Sequence, residues 1–141
     1  MALVFYRVGN YLYRAGVPFL PRFFTVVGRL LFGAHIPSEC QIGLRCKVAY
    51  GGSGIVIHPK AVIGDDCLLS PGVVIGGRAG NPLLPRIGDR VRIFPGAAVL
   101  GNIVINDGAI IGANAVVVDD VPAGARVVAP KARMILSSLD L

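Results

Sequence analysis

The chain has 141 residues, 54% of them hydrophobic, and carries 14 basic and 8 acidic residues, for a formal net charge of +6. This length predicts one domain. A mean hydropathy of +0.68 is high for a soluble monomer, so we expect partner subunits or lipid to cover some apolar surface. We expect no nucleic-acid partner, because the basic segment is apolar and carries no recognition motif.

Cysteine usage indicates neither a disulfide framework nor a metal site. Cys40, Cys46 and Cys67 are odd in number and form no CxxC pair. Cys67 falls at an inward position of the repeat described below and is expected to be a small core residue. No signal peptide is recognisable, and arginines interrupt every apolar run before about 18 residues. We therefore expect a cytoplasmic protein without a metal.

Residues 1–36 predict an amphipathic helical arm, with helices over residues 3–15 and 21–32. Polar side chains follow one narrow face of each helix, at Arg7, Asn10 and Arg14 in the first and at Arg22, Thr25 and Arg29 in the second. A wide apolar face beside an arginine strip is typical of helices in the interface of an anionic membrane. We predict peripheral membrane contact through residues 1–33; the alternative is a cap packed on the rest of the chain or on another subunit.

A branched aliphatic residue recurs every six positions over most of the remaining chain. The positions are Ile57, Ile63, Leu69, Ile75, Ile87, Ile93, Val99, Ile105, Ile111 and Val117. Helices repeat at 3.6 residues and strands at two, so neither alone gives this period. Three hexapeptides form one triangular coil of a parallel β-helix. An ordinary β-sandwich is disfavoured, because its strands do not keep a fixed period through their turns.

The predicted β-helix covers residues 37–135, and residues 136–141 form a tail. Stacked residues should be eighteen positions apart, which predicts one inner column of Ile57, Ile75, Ile93 and Ile111. The repeat breaks near residues 50–54. The Gly/Pro-rich stretch 76–86, which includes Asn81 in place of an aliphatic residue, predicts a loop extruded from a corner. A last strand is predicted over residues 127–135.

Several of these motifs occur in the order seen in serine O-acetyltransferases. They are Gly54-Ile55-Val56-Ile57, Ala61-Val62-Ile63-Gly64-Asp65-Asp66, Val73-Val74-Ile75-Gly76-Gly77, Ile111-Gly112-Ala113-Asn114-Ala115-Val116-Val117 and Asp120-Val121-Pro122. The chain resembles the serine acetyltransferase-like branch of the hexapeptide acyltransferases, often found with bacterial polysaccharide synthesis, over residues 37–135. The resemblance implies an all-β, left-handed parallel β-helix, a homotrimer and acetyl-CoA as co-substrate.

The chain departs from the pattern of that family at its histidines. The family places a catalytic histidine, preceded by aspartate, before Gly-Ile-Val-Ile, where this chain has Tyr50 and Gly51. The second family histidine, before the loop proline, corresponds to Leu84. These losses disfavour free serine as the acceptor.

His58 is the predicted general base. Acetyl transfer to a hydroxyl needs a base with a pKa near neutrality, and histidine is the usual one. His58 follows an inward position, one coil before the base of the extruded loop, which borders the acetyl-CoA groove in the family. The alternative is a bend histidine that hydrogen-bonds the loop. His35, at the junction of arm and β-helix, is expected to be structural.

Acetyl-CoA binding is assigned to small residues and to Arg133 by their family positions, to Lys131 because it lies near Arg133, and to Arg78 because it lies on the extruded loop. These are Gly76, Gly77, Arg78, Ala97, Gly112, Ala113, Lys131 and Arg133. Backbone amides at the small residues would line a groove for the pantetheine arm, and the basic residues would contact phosphate oxygens. Any single glycine could equally be a simple bend.

The main functional prediction is an acetyl-CoA-dependent O-acetyltransferase acting on a sugar hydroxyl in polysaccharide biosynthesis. One alternative is a serine O-acetyltransferase of cysteine biosynthesis. The other is a non-catalytic trimeric scaffold, which would bind no acetyl-CoA.

Overall fold

The computed structural model describes residues 1–80 and 82–135, and it consists of a helical hairpin followed by a triangular parallel β-helix of about four turns. Helix α1 spans Ala2–Arg14 and helix α2 spans Leu20–Phe32, each within one residue of its predicted limits. Gly33 ends α2 with a left-handed φ of 64°, a conformation that glycine adopts without steric cost.

The strands form three parallel sheets, which are the faces of the triangular prism. Face 1 contains β1 (Gln41–Ile42), β4 (Val62–Ile63), β7 (Arg86–Ile87) and β10 (Val104–Ile105). Face 2 contains β2 (Lys47–Val48), β5 (Leu68–Leu69), β8 (Arg92–Ile93), β11 (Ile110–Ile111) and β13 (Arg126–Val127). Face 3 contains β3 (Val56–Ile57), β6 (Val74–Gly76), β9 (Ala98–Leu100) and β12 (Val116–Val117).

The six-residue period supplies the core. The second residue of almost every strand points inward and is buried, and Ile57, Leu69, Ile75, Ile105 and Ile111 are fully buried. Each buried side chain of this size stabilises the fold by about 1.5–3 kcal/mol. Cys67 is buried among them, as predicted.

The stacking order differs from the predicted one after the second coil. Ile75 stacks on Ile57 in face 3, but the next residue in that column is Val99. Ile93 and Ile111 stack instead in the inner column of face 2. The predicted column was wrong because the extruded loop adds one full hexapeptide between β6 and β7. The period continues through the loop, but every later residue lies on the face that precedes its predicted one.

The helical arm packs as a cap on the first coil, with polar groups turned inward. The Tyr6 hydroxyl donates to Cys40 O at 2.8 Å and accepts from Ile42 N at 3.1 Å. Arg7 donates to the carbonyl oxygens of Ile42 and Gly43. Burial raises the pKa of Tyr6 to about 12. The packed cap was the alternative interpretation of the sequence, and the inward direction of Arg7 was not expected.

The last predicted strand is shorter than expected. Only Arg126–Val127 pairs with the β-helix, on β11, and residues 128–135 form no regular structure. Pro130 cannot donate to a strand ladder, which limits pairing there. The predicted tail 136–141 lies outside the described residues. Within residues 1–80 and 82–135, neither α1 nor α2 nor any other helix is long and apolar enough to cross a membrane.

Candidate active site

The corner between faces 3 and 1 carries the extruded loop and His58. The His58 amide donates to Ile75 O at 2.8 Å, which places His58 one coil below Gly76, the last residue of β6. This is the position predicted for it, beside the base of the loop.

His58 uses one ring nitrogen to hold its own bend. The Lys60 amide donates to His58 Nδ1 at 3.1 Å. A neutral imidazole that accepts at Nδ1 carries its proton on Nε2, so neither nitrogen has a free lone pair in this arrangement. His58 can act as a base only after the bond to Lys60 is released. The bond from Lys60 gives His58 a structural role in its own bend. The alternative prediction was also a structural role, but with the ring hydrogen-bonded to the loop.

The extruded loop folds back over its own base. A methyl group at Gly77 would lie 3.2 Å from the Leu84 side chain, so a larger residue there would displace the loop. Pro85 is fully buried and anchors the return of the chain into β7. Arg78 is exposed and lies against Gly101 of the next coil.

A pocket of about 340 Å³ lies beneath this loop, on face 1. It is lined by Lys60, Val62, Pro82, Leu83, Leu84, Pro85, Arg86 and Asn102. Its walls are apolar, and the two cations suit an anionic group. Sequence reasoning missed Lys60 and Asn102 as lining residues. The signal for both was available, because each occupies the same corner as His58 or the loop.

The remaining predicted acetyl-CoA residues lie at a different corner, between faces 2 and 3. Gly112 follows β11 there, and a methyl group on it would meet Val127 O at 2.9 Å, so its small size is needed for coil stacking. Ala113 is exposed, whereas Ala97 is fully buried and can offer only its backbone. Lys131 and Arg133 are exposed on the segment that leaves this corner.

The residues that replace the family's aspartate and two histidines are also divided between these corners. Tyr50 and Gly51 follow β2 in a short 3₁₀ segment, Ala49–Gly52, at the corner of faces 2 and 3. Tyr50 is 90% exposed and has a left-handed φ of 49°. Leu84 lies in the loop at the other corner. One protomer therefore does not bring the two sets together, since face 3 separates them.

The outer surface of face 3 is apolar. The outward residues of its four strands are Val56, Val74, Ala98 and Val116, and His35 pairs with Val56 at its lower end. Val116 is 66% exposed. An exposed apolar strip of this length is typical of a protein contact surface.

His35 lies between α2 and the first coil and has a buried Nδ1 without a protein partner. A pocket of about 250 Å³ opens beside it, lined by Arg22, Thr25, Val26, His35, Pro37, Glu39 and Pro59. In the part of the chain that the structure describes, no group of three His, Cys, Asp or Glu side chains could hold a metal ion.

Comparisons with known proteins place the chain in a class and then a family. The family model described as bacterial transferase hexapeptide (six repeats) matches residues 85–119 of this chain. Serine acetyltransferase of Helicobacter pylori is 36% identical over 95% of this chain and 79% of its own length. That of Synechococcus elongatus is 37% identical over 97% of this chain and 57% of its own length. By class, the chain is thus a hexapeptide-repeat protein. It belongs to the serine O-acetyltransferase-like family of hexapeptide-repeat acetyltransferases.

Solved structures agree with this assignment. Serine acetyltransferase isoform 3 of Entamoeba histolytica, in complex with cysteine, superposes with a TM-score of 0.88 at 30% identity, over 97% of this chain and 49% of that one. Serine acetyltransferase of Brucella abortus, in complex with coenzyme A, gives 0.83 at 28% identity, over 95% and 54%. The predicted left-handed β-helix with a short helical arm is confirmed. The chain spans about half the length of several of these relatives.

Proposed function

We propose that the protein transfers acetyl from acetyl-CoA to a hydroxyl group, with free serine as the first candidate acceptor. The observation that carries this proposal is the similarity to serine acetyltransferases over nearly the whole chain, which includes the loop base Gly76-Gly77. Serine replaces a sugar hydroxyl as the leading acceptor, because the matched relatives are serine acetyltransferases.

Acetyl transfer would be direct, within a complex of both substrates. The acceptor oxygen attacks the thioester carbonyl and loses its proton to a base, and hydrogen-bond donors stabilise the oxyanion that develops. His58 is the proposed base, acting once its ring has released the Lys60 amide. Backbone amides near Gly76-Gly77 and Gly112-Ala113 are the proposed contacts of the pantetheine arm. The fit with acetyl-CoA is supported by exposed cations at Arg78, Lys131 and Arg133, which suit its phosphates.

A sugar hydroxyl is the second candidate acceptor, because of one feature of the site. Tyr50, Gly51 and Leu84 offer neither the carboxylate nor the histidines that the family resemblance associates with serine. The pocket beneath the loop is apolar with two cations, Lys60 and Arg86. This lining could accept a larger acceptor than serine.

The site would be completed by neighbouring protomers. We propose a homotrimer in which the apolar outer surface of face 3 is covered. A three-fold ring uses a heterologous interface, in which opposite edges of the same contact surface meet. The corner with Gly76 and His58 of one protomer would then face the corner with Tyr50 and Gly112 of the next. This arrangement would bring together the two halves of the site that one protomer separates.

The experiment for the proposed reaction is mass-spectrometric detection of acetyl transfer to free serine and to a panel of sugars. Wild type is expected to acetylate serine. Transfer to sugars alone would favour the second candidate, and neither transfer nor acetyl-CoA binding would indicate a non-catalytic scaffold.

Two variants of His58 separate its two roles. His58→Ala removes both the base and the acceptor of the Lys60 amide. His58→Asn removes the base, but its side-chain oxygen can accept the amide two residues on, as asparagine does in turns. If His58 is the base, both variants should lose at least about 100-fold in kcat. If His58→Asn is active and His58→Ala is inactive, then His58 holds the bend and is not the base.

We further propose that the arm binds the surface of an anionic membrane on the cytoplasmic side. The inward polar contacts leave an apolar surface exposed, with Val4, Val8 and Tyr11 on α1 and Phe23, Val26 and Leu30 on α2. Exposed Arg22 and Arg29 border it on α2. No acidic residue precedes Glu39. Apolar and aromatic groups beside arginine side chains suit an interface of anionic headgroups, and the free cysteines suit a reducing compartment.

Vesicle sedimentation tests the membrane proposal. The protein should pellet with vesicles of phosphatidylglycerol and phosphatidylcholine, and less with phosphatidylcholine alone. Leu30→Gln should abolish pelleting, and Val104→Gln, on the outer surface of face 1, should not. Equal pelleting of wild type and Leu30→Gln would contradict the proposal. A larger assembly without lipid, lost in Leu30→Gln, would show that a second copy covers the surface instead.

A further inference from the structure

Two of the three cysteines lie one above the other on neighbouring coils. Lys47 of β2 pairs with Leu68 of β5 in parallel register. Cys46 and Cys67 come directly before this pair. They are therefore stacked on each other where the chain enters face 2. Neighbouring strands are about 4.8 Å apart, which lies within the range of about 4.4–6.8 Å between Cα atoms that a disulfide spans.

The two thiols are stacked neighbours but differ in environment. Cys67 is 1% exposed, and its Sγ donates to Gly88 O at 3.1 Å. Cys46 is partly exposed, and its Sγ donates to Gly64 O at 3.1 Å. The neighbouring Cys67 side chain lowers the pKa of Cys46 to about 7, and the Cys46 side chain raises the pKa of Cys67. Of the charged groups nearby, Arg7 of α1 lowers the pKa of Cys46 and Asp65 raises it.

Cys40 differs from this pair. It is fully buried at the start of face 1, its Sγ donates to Pro37 O at 3.0 Å, and burial raises its pKa to about 12. It is therefore a protonated core thiol. The chain thus offers an internal control for any chemistry at the pair.

We propose that Cys46 and Cys67 are a site of reversible oxidation, at which a hydroperoxide converts the stacked thiols into a disulfide between the first two coils. The site is at the corner between faces 1 and 2. Face 3, the proposed contact surface between protomers, is on the other side of the prism, so the site stays accessible to a small oxidant in the trimer.

The chemistry proceeds in two balanced steps. The Cys46 thiolate attacks a peroxide oxygen, the O–O bond breaks, and protonation of the leaving oxygen gives a sulfenic acid and, from hydrogen peroxide, water. The Cys67 sulfur then attacks the Cys46 sulfur, the S–O bond breaks, and the Cys67 proton leaves with the hydroxide as a second water. Both sulfurs are oxidised by one electron each, and the two peroxide oxygens are reduced. A partly exposed thiolate next to a second thiol is the arrangement that favours this sequence.

Peptide mapping after peroxide treatment tests the proposal. The protein is treated with hydrogen peroxide, denatured, alkylated and digested with chymotrypsin, which separates the three cysteines by cutting after Leu44, Tyr50 and Leu68. We expect a linked pair of peptides containing Cys46 and Cys67, lighter by two hydrogens and separated by dithiothreitol, with Cys40 alkylated. The link should persist in Cys40→Ser. Separate alkylation of Cys46 and Cys67, or a link through Cys40, would overturn the proposal.

Variants of Cys67 test the two steps separately. Cys67→Ser cannot form the disulfide, so Cys46 should accumulate as a sulfenic acid that dimedone traps. Cys67→Ala removes the neighbouring thiol that lowers the pKa of Cys46, so alkylation of Cys46 in the native protein at pH 7 should slow by roughly 10-fold. An alkylation rate that is unchanged in Cys67→Ala, or the absence of a dimedone adduct in Cys67→Ser, would contradict the assigned roles.

Discussion

Aspartate carboxylates connect neighbouring coils at the corner between faces 1 and 2. Asp89 Oδ1 accepts from Asp65 N at 2.8 Å, and Asp107 Oδ1 accepts from Asp89 N at 2.8 Å. Each carboxylate occupies the space that a glycine of the adjacent coil leaves open, such as Gly64 beside Asp89. The Gly-Asp pairs of the sequence are therefore a packing device that repeats from coil to coil.

Gly64→Ala should destabilise the protein by about 1–3 kcal/mol. The added methyl group would lie 2.6 Å from the backbone oxygen of Gly88 and would collide with the Asp89 carboxylate. Gly76→Ala is the matched control, because its methyl group would meet only Leu100 Cδ2 at 3.8 Å. Urea unfolding measures both variants. Equal urea midpoints for Gly64→Ala and Gly76→Ala would show that the Asp89 carboxylate does not need the space beside Gly64.

The Tyr6 hydroxyl is the buried link between the arm and the first coil. Tyr6→Phe would leave Ile42 N without this partner, whereas Cys40 O would keep its bond from Asn10 Nδ2 at 3.3 Å, and an unsatisfied buried polar group costs about 1–3 kcal/mol. Tyr11→Phe, at a residue that is 74% exposed, should change the free energy of unfolding little. Chemical denaturation compares the pair, and similar losses in both would show that Tyr6 does not hold the arm.

The sequence predicts which residues lie near the loop, but it cannot predict their hydrogen bonds. The position of His58 beside the loop base followed from the repeat alone. The bond from Lys60 N to its Nδ1 depends on the ring orientation in the bend, which no period encodes. The division of the acetyl-CoA residues between two corners also needed three dimensions, because positions 76 and 112 are alike in the repeat.

At the scale of elements, the extruded loop inserts one full hexapeptide between the second and third coils. This explains how the aliphatic period could be regular while the predicted inner column was wrong. An insertion whose length is not a multiple of six would have interrupted the period and shown the shift. Strand positions were therefore predictable from the sequence, whereas the pairing of strands was predictable only up to the loop.

Deleting residues 78–83 should leave the β-helix folded. The remaining chain joins Gly77 to Leu84 and restores the ordinary six-residue spacing between Ile75 and Ile87, with Pro85 at the inward position it already occupies. Acetyl transfer should be lost with the loop. Circular dichroism and thermal unfolding check the fold, and a six-residue Gly/Ser replacement of the same segment is the control. If the deletion variant is unfolded while the Gly/Ser variant is folded, residues 78–83 are not a dispensable insertion in the β-helix.

The arm shows the limit of helical patterning. The lengths of α1 and α2 and their break were predictable from periodicity and from the glycine and proline between them. The direction of the polar strip was not, because amphipathicity does not say which face meets the protein. The open end of the first coil presents the carbonyl oxygens of Ile42 and Gly43, and Arg7 turns inward to bind them.

At the scale of the whole molecule, face 3 is the surface expected to join protomers. Val116→Asp would place a charge on this apolar contact surface, where desolvation is costly. The variant should elute as a monomer in size-exclusion chromatography with light scattering. Val104→Asp, on face 1 at 39% exposure, should keep the assembly of the wild type. A trimer that survives Val116→Asp, or a monomeric wild type, would contradict this surface.

The central claim is that the β-helix binds acetyl-CoA and uses it as an acetyl donor. Titration calorimetry of acetyl-CoA into the full chain tests it without any assumption about the acceptor. We predict saturable binding with one site per protomer, weakened in Arg78→Glu and in the monomeric Val116→Asp variant, because the site takes residues from two corners. No saturable binding at millimolar acetyl-CoA would contradict the claim and leave the chain a structural member of its family.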